Sequence, residues 1–425
     1  MPVRLFDSKY CRVRQDAPYF NLPTVRTVCC IHLSRGERLF APTINDMNEN
    51  LNGDIPPGEY FWEGNEAVAE GAIRAGCRFF AGYPISPSIE IMERMSNRLP
   101  EAGGVFVQME DEIASLGAVI GAVWAGAKAM TATSGPGLSL MAENIGYAVM
   151  TETPCVIVDV QRVGPSTGQA TRPYSGDMMQ VKWCSSSDYQ IIALSPWSIQ
   201  EMYELTVQAF NLAETYRVPV FIMSDAAIAH LRETCTVPGM DELAVLDRRK
   251  SPGGPHFGTD DPRGVPPMAS FGEGEALLIT GSTHDEFGYR KTQDPNIQKK
   301  LTTRLNEKIL RNADKIAQME EYLTGDADTV VVAYGIAARA ALAAVKQARN
   351  RGVKAGLLRL KTVWPFPERT IRSLKARRIF VPEMNRGQIA QEVQRSARAN
   401  TAVFSITRVD GEVITPGEIL EAVLS

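Results

Sequence analysis

The stretch from Gly104 to Tyr147 constrains the chain most. An apolar run, residues 104–108, leads into three acids, Glu110, Asp111 and Glu112, and a helix of small residues follows. A second strand, residues 127–133, then delivers Ser134-Gly135-Pro136-Gly137 to the start of another helix. Strand, helix, strand and a glycine turn at a helix start are the parts of a βαβ unit, whose parallel strands need a covering helix. Acids in a first helical turn ordinarily complement the helix dipole, which accounts for Glu110 and Asp111. Glu112 stands one turn before Leu116, Val119 and Ile120. It should therefore lie where a buried helix meets the carboxyl edge of the sheet. A carboxyl group held there has a raised pKa and can share a proton with a ligand nitrogen. On the residues alone, that role and plain dipole complementation both stay open.

The 425 residues predict two or three domains, each able to bury a full core. A formal charge of −4 gives no electrostatic footprint for nucleic acid or an anionic membrane. The longest apolar stretch, residues 118–127, is too short and glycine-rich to span a bilayer, and the N-terminus lacks the apolar core of a secretion signal. Seven cysteines are an odd count without a CxxC, and Cys155 sits in an apolar strand as a buried thiol would. The chain therefore reads as cytoplasmic and reduced, and cannot by itself hold a four-cysteine metal or iron–sulfur centre. No clustered His/Asp/Glu pattern and no nucleophile–His–Asp set supports metal hydrolysis or acyl transfer.

Taken in order, residues 1–56 form an N-terminal extension of arginines, prolines and aromatics without a clear period. It is read as an arm that wraps a partner, with a later natural start near Met47 as the alternative. Residues 57–234 alternate strand and helix, beginning with a helix over 65–75 and a strand over 78–83. In Tyr83-Pro84-Ile85-Ser86-Pro87-Ser88, Ser86 suits a helix cap and Pro87 the first helical position. A strand over 154–160 carries Gln161-Arg162 into the loop Gly164-Pro165-Ser166-Thr167-Gly168. An arginine at a strand end beside a glycine loop can clamp a carboxylate bidentately. It can equally pair with Asp159 or Asp177. Asp225 reads as a helix cap and His230 as a structural histidine. Residues 235–326 are a loop-rich connector in which His284 should stabilise a turn and residues 295–322 should form a charged, mostly exposed helix. Residues 327–425 alternate strand and helix again, so the fold class is α/β with two parallel-sheet domains. In this last part, Trp364-Pro365-Phe366-Pro367, Glu383 and Asn385 read as packing and turn features.

GNEAVAEGAIRAGCRFFAGYPISPS, VQMEDEIASLGAVIGA, MTATSGPG, VIVDVQRVGPSTG and VPEMNRGQ follow one another in this chain. Together they resemble the alpha subunit of 2-oxoacid:ferredoxin oxidoreductases of the 2-oxoglutarate and 2-ketoisovalerate type. The resemblance runs from about residue 63 to the C-terminus. It implies a thiamine diphosphate pyrimidine-binding domain followed by a transketolase C-terminal-like domain. By resemblance, Glu112 hydrogen-bonds the aminopyrimidine ring, and Thr133, Ser134 and Gly135 support that pocket. Arg162 holds the carboxylate of the 2-oxoacid with Thr167 and Thr171 close by, and Ser86 contacts the 2-oxo oxygen. Asn144 is a weaker candidate near the thioester site. Serine at position 86 departs from the threonine usual in the family, and Arg172 and Tyr174 are individual to this chain.

The resemblance implies oxidative decarboxylation of a 2-oxoacid, 2-oxoglutarate first, with coenzyme A as co-substrate and ferredoxin as electron acceptor. Branched-chain 2-oxoacids and pyruvate are the alternative substrates. The chain has no Gly-Asp-Gly motif, no P-loop and no GxGxxG after a strand. A beta subunit is therefore expected to supply the Mg²⁺–diphosphate site and the iron–sulfur cluster, with gamma and delta subunits possible. A non-catalytic scaffold and a non-oxidative thiamine-dependent decarboxylase are the rival readings.

Overall fold

The computed structural model describes residues 53–239, 241–250 and 253–425. The two readings of the N-terminal extension fall almost wholly outside them.

The larger sheet carries, in order, Thr362–Trp364, Ile192–Leu194, Val220–Asp225, Val156–Val163, Lys128–Thr133, Cys77–Gly82 and Val105–Gln108. The five strands from Val220–Asp225 to Val105–Gln108 pair in parallel, and Gln169–Pro173 folds back antiparallel on Val156–Val163. Lys128–Thr133 and Val220–Asp225 are buried at every position. That is why their sequences run apolar without alternation: helices cover both faces of the sheet. Gly64–Arg74 and Ile199–Tyr216 pack on one face through Val68, Ile73, Met202 and Phe210. Glu112–Trp124 and Ala142–Met150 pack on the other through Leu116, Val119 and Ile145. Asp111, Ser198, Asp225 and Asp294 cap their helices by accepting backbone N–H bonds, as such residues do at an N-terminus.

The smaller sheet runs Met319–Tyr322, Ala355–Leu360, Thr329–Ala333, Arg378–Glu383 and Ala402–Thr407. Its first strand is antiparallel and the rest are parallel. The expected α/β class with parallel sheets is what the chain forms. Thr362–Trp364 leaves the smaller domain to pair with Ile192–Leu194 at the edge of the larger sheet. The Trp364 indole donates to the Met178 carbonyl at 2.8 Å. Glu383 accepts from Tyr334 Oη at 2.7 Å and from the N–H groups of Ile389 and Ala390, while Asn385 Oδ1 accepts from Gly387 and Gln388 N–H. Both side chains thus hold a turn.

Two buried charge clusters tie the parts together. Arg359, fully buried on the smaller sheet, pairs with Glu201 of the larger domain and with Glu320, and stacks its guanidinium over Trp197. Glu152, also fully buried, pairs with Arg304 and Lys308 of the connector helix at 2.7 and 2.8 Å.

Two expectations are corrected. Ser86 and Pro87 do not open a helix. They lie in a turn closed by Ser88 N–H on the Ile85 carbonyl, and the helix begins two residues later, Ile89–Glu101, with Ser88 at its cap position. The helix expected over 295–322 ends at Leu310, and Met319–Tyr322 is a strand. The free edge of Ala355–Leu360 takes that segment into a ladder, overriding its helical preference. Nor is the helix mostly exposed, since Leu301, Leu305, Lys308 and Ile309 are buried.

Candidate active site

Glu112 is the first residue of its helix and only 3 % exposed, at the carboxyl edge of the larger sheet. Burial raises its pKa, the neighbouring Asp111 adds to the rise, and its own backbone N–H and Arg162 oppose it. Above it passes the glycine turn. A methyl group built on Gly137 would overlap both Thr133 Oγ1 and the Glu112 carboxylate, so glycine here serves close approach. Thr133 Oγ1 donates to the Ser134 carbonyl at 3.3 Å, and Ser134 Oγ is buried without a partner among the described residues. Gly135 starts the helix Gly135–Leu140, and a methyl group there would stand 2.9 Å from Asp177 Oδ2. Asn144 donates to the Ile113 carbonyl at 2.7 Å, which staples the following helix to the turn that carries Glu112.

Arg162 is the penultimate residue of the central strand, Val156–Val163, and is 7 % exposed. Its Nη1 donates to the Ser86 carbonyl at 2.6 Å, and its Nε is buried without a partner among the described residues. Among the described residues it makes no ion pair, so the pairing with Asp159 or Asp177 that the sequence left open is absent. Desolvation lowers its pKa, while the fields of Asp177 and Glu112 favour its charge. Arg162, Asp177, Gly135, Ser139, Ser166 and Gln388 line a cleft of about 320 Å³. Larger clefts of about 580 and 790 Å³, along the connector helix and beside Trp364, contain none of the motif residues.

The structure thus gathers Glu112, Thr133, Ser134, Gly135, Asn144, Arg162 and Ser86 at one sheet edge, Ser86 through its carbonyl. Thr167 and Thr171 are exposed in and after the loop that follows Arg162, and neither lines the cleft. The sequence reading named Ser134 but missed one part of the site, the burial of Asp159 against Asp177. An acid in the middle of an apolar strand was the available signal. The remaining calls are structural. Asp225 caps its helix, and His284 Nδ1 lies 2.9 Å from the Ser282 carbonyl. His230 is exposed beside Glu90, at 3.4 Å. No group of three or more His, Cys, Asp or Glu able to hold a metal ion occurs among the described residues. None of their helices is long and apolar enough to cross a membrane.

A family model described as pyruvate flavodoxin/ferredoxin oxidoreductase, thiamine diphosphate-binding, matches residues 70–302. The chain belongs to this family. A second model, pyruvate:ferredoxin oxidoreductase core domain II, matches residues 327–419. Family membership bears out the resemblance to 2-oxoacid:ferredoxin oxidoreductases and makes the chain a subunit of an oxidoreductase. The 2-oxoglutarate synthase subunit KorA of Methanothermobacter thermautotrophicus is 52 % identical over 375 residues, covering 86 % of this chain and 98 % of that protein. The ketoisovalerate oxidoreductase subunit VorB of the same organism is 37 % identical, covering 85 % and 96 %. Among solved structures, the 2-oxoglutarate:ferredoxin oxidoreductase of Magnetococcus marinus, with 2-oxoglutarate, coenzyme A and succinyl-CoA bound, superposes with a TM-score of 0.82 at 32 % identity. The match covers 87 % of this chain, which spans 65 % of that one.

Proposed function

We propose that this chain is the alpha subunit of a 2-oxoglutarate:ferredoxin oxidoreductase, converting 2-oxoglutarate, coenzyme A and oxidised ferredoxin to succinyl-CoA, carbon dioxide and reduced ferredoxin. The observation that carries the chemistry is the placing of Glu112 under Gly137 with Arg162 at the same sheet edge. The higher identity to 2-oxoglutarate synthase subunits than to the ketoisovalerate subunit supports the substrate.

A thiamine pyrimidine fits these residues. Glu112 is a buried carboxyl with a raised pKa, able to hold a proton toward a ring nitrogen, and the orphan Ser134 hydroxyl stands at the next helix start. Bound there, thiamine diphosphate would supply the electron sink for decarboxylation. The protein's part is orientation. Arg162 lines the cleft and offers its guanidinium charge to the substrate carboxylate while the Ser86 carbonyl fixes Nη1. The Ser86 hydroxyl can hydrogen-bond the 2-oxo oxygen, and Asn144 keeps the Glu112 turn in place. The pyrimidine-binding domain occupies residues 57–234, the connector 235–326 and the second domain 327–425.

A beta subunit holds Mg²⁺, the diphosphate and the iron–sulfur cluster in this reading. The outer face of the Glu112 helix supports it. On that helix Ile113 is 49 % exposed and the exposed Gly121 has open space around it, and Leu140, at the end of the helix Gly135–Leu140, is 50 % exposed. Such an apolar, small-residue rim beside a cofactor mouth suits burial against a partner chain. Gamma and delta subunits would complete the complex, with ferredoxin as its acceptor in the cytoplasm.

The test is a complex reconstituted with its partner subunits, assayed with coenzyme A and a viologen acceptor against 2-oxoglutarate, 2-oxoisovalerate and pyruvate. The highest kcat/KM is expected for 2-oxoglutarate. A higher value for either other acid overturns the substrate, and an aldehyde product without acyl-CoA overturns the oxidative reaction.

A further inference from the structure

Asp159 lies in the middle of the central strand, fully buried, opposite Thr133 on one neighbouring strand and Met223 on the other. Among the described residues neither of its carboxylate oxygens finds a hydrogen-bond donor, nor does Asp177 Oδ2, as long as both groups are taken as ionised. The two carboxyls nevertheless lie within hydrogen-bonding reach of each other. One proton between them resolves both observations, because two carboxylates in contact inside a protein cannot both ionise. Asp177 is fixed for this contact: its backbone N–H donates to Gln161 Oε1 at 3.0 Å, and Gly135 leaves its carboxylate room that any side chain would fill.

The proton belongs with Asp159. That group is the deeper of the two, and burial together with the Asp177 charge pushes its pKa far up. Burial also raises Asp177, to about 6, but the bond from Asp159 and the Arg162 guanidinium both favour its charged form. Asp177 is therefore the ionised member, and it lines the same cleft as Arg162. Glu112 faces Arg162 from its helix. Tyr174 stands near Asp177 and near Arg386 of the smaller domain.

We propose that Asp159 and Asp177 form a one-proton carboxyl pair whose single negative charge, carried by Asp177, is the counter-charge that limits how tightly Arg162 holds the substrate carboxylate. This rests on the reading of Arg162 as the carboxylate clamp. Asp177 and the substrate carboxylate compete for one guanidinium field, so the bound acid is held less tightly than a lone arginine would hold it. When the carbon–carbon bond breaks, its electron pair stays with the acyl fragment and the carboxylate leaves as uncharged carbon dioxide. Arg162 then keeps Asp177 as its counter-charge, and the loss of the substrate's charge leaves no unbalanced cation in the cleft. Asp177 is a positioning residue acting through Arg162.

The signature is a split between KM and kcat in the reconstituted complex. Asp177→Asn should lower KM for 2-oxoglutarate roughly three- to tenfold while kcat falls by about tenfold, the pattern of removed ground-state destabilisation. The unaltered complex should show the same joint fall of KM and kcat as the pH drops through about 6, where Asp177 takes up a proton. This second series stands even if the variant does not fold. Infrared spectra at neutral pH should contain a protonated carboxyl C=O stretch that Asp159→Asn removes. A folded Asp177→Asn complex with KM unchanged or raised, a flat KM across that pH range, or no protonated carboxyl band overturns the proposal. Arg162→Lys kept in the same series separates the two readings. Unaltered kinetics there overturn the clamp itself, whereas impaired kinetics with an unaltered Asp177→Asn overturn the pair alone.

Discussion

Arg162 donates from Nη1 to the carbonyl oxygen of Ser86 at 2.6 Å, across the carboxyl edge of the larger sheet. That bond points the guanidinium without neutralising it, and leaves Nε buried with no partner among the described residues. A side chain tethered by a carbonyl, with no direct ion pair among the described residues and Asp177 acting on it only through its field, is arranged for an external anion rather than for stability. Arg162→Lys keeps the charge but loses the planar fork. One charge-assisted hydrogen bond is worth about 1.5–3 kcal/mol, so kcat/KM should fall about ten- to a hundredfold. Thermal melting of the same preparation should hardly move. A lowered melting temperature with normal kinetics would assign Arg162 a structural role instead.

Glu112→Gln keeps the size of a buried side chain whose neighbour Gly137 leaves no slack. The carboxamide cannot give and take the same proton. Turnover should drop by about 10²- to 10⁴-fold, the usual scale of acid–base assistance, with the fold retained. Activity within about threefold of wild type, too little for such assistance, would reduce Glu112 to a helix-dipole acid.

Gly137→Ala tests the close approach directly. The added methyl overlaps the Glu112 carboxylate and Thr133 Oγ1, so the carboxyl must move. Cofactor affinity and turnover in the complex should both fall, by about tenfold or more if the shift approaches an ångström. Full activity would show that the turn has freedom the packing denies.

Glu152 bears on stability instead of catalysis. Its partners Arg304, Lys308 and Arg217 outweigh its burial and hold its pKa far below the usual carboxylate range. The same burial lowers Lys308 to about 8 despite Glu152, so Arg304, held by two bonds of 2.7 and 2.8 Å, is the partner that secures the pair. Glu152→Gln leaves buried cations uncompensated and should destabilise the fold by about 3–5 kcal/mol in a denaturant titration. Because the folded pKa is depressed, the contribution is complete above the unfolded value of about 4.3 and is lost as pH falls below it. Glu152→Gln should therefore lose this acid-dependent part of the stability curve.

Much of this was readable in the chain because its signals are local. Gly104 to Gly137 spells strand, helix, strand and glycine turn, and Asp111, read as a dipole acid, proves to cap the helix at 2.7 Å from Ala114 N–H. What stayed hidden depends on distant partners. Met319–Tyr322 reads as helix until Ala355–Leu360 offers an edge. Ser86 reads as a cap because nothing local shows that Arg162, 76 positions on, takes its carbonyl. The Asp159–Asp177 contact joins a strand interior to a loop, a pairing that no periodicity encodes.

The central claim is that this chain carries the pyrimidine half of a cofactor site and that a partner completes it. Calorimetry of thiamine diphosphate with Mg²⁺, run on the isolated chain and on the complex with its beta subunit, tests it most directly. The account predicts no saturable binding to the chain alone at micromolar cofactor, and tight, Mg²⁺-dependent binding to the complex that Glu112→Gln retains while turnover collapses. Micromolar, Mg²⁺-dependent binding to the isolated chain would contradict it.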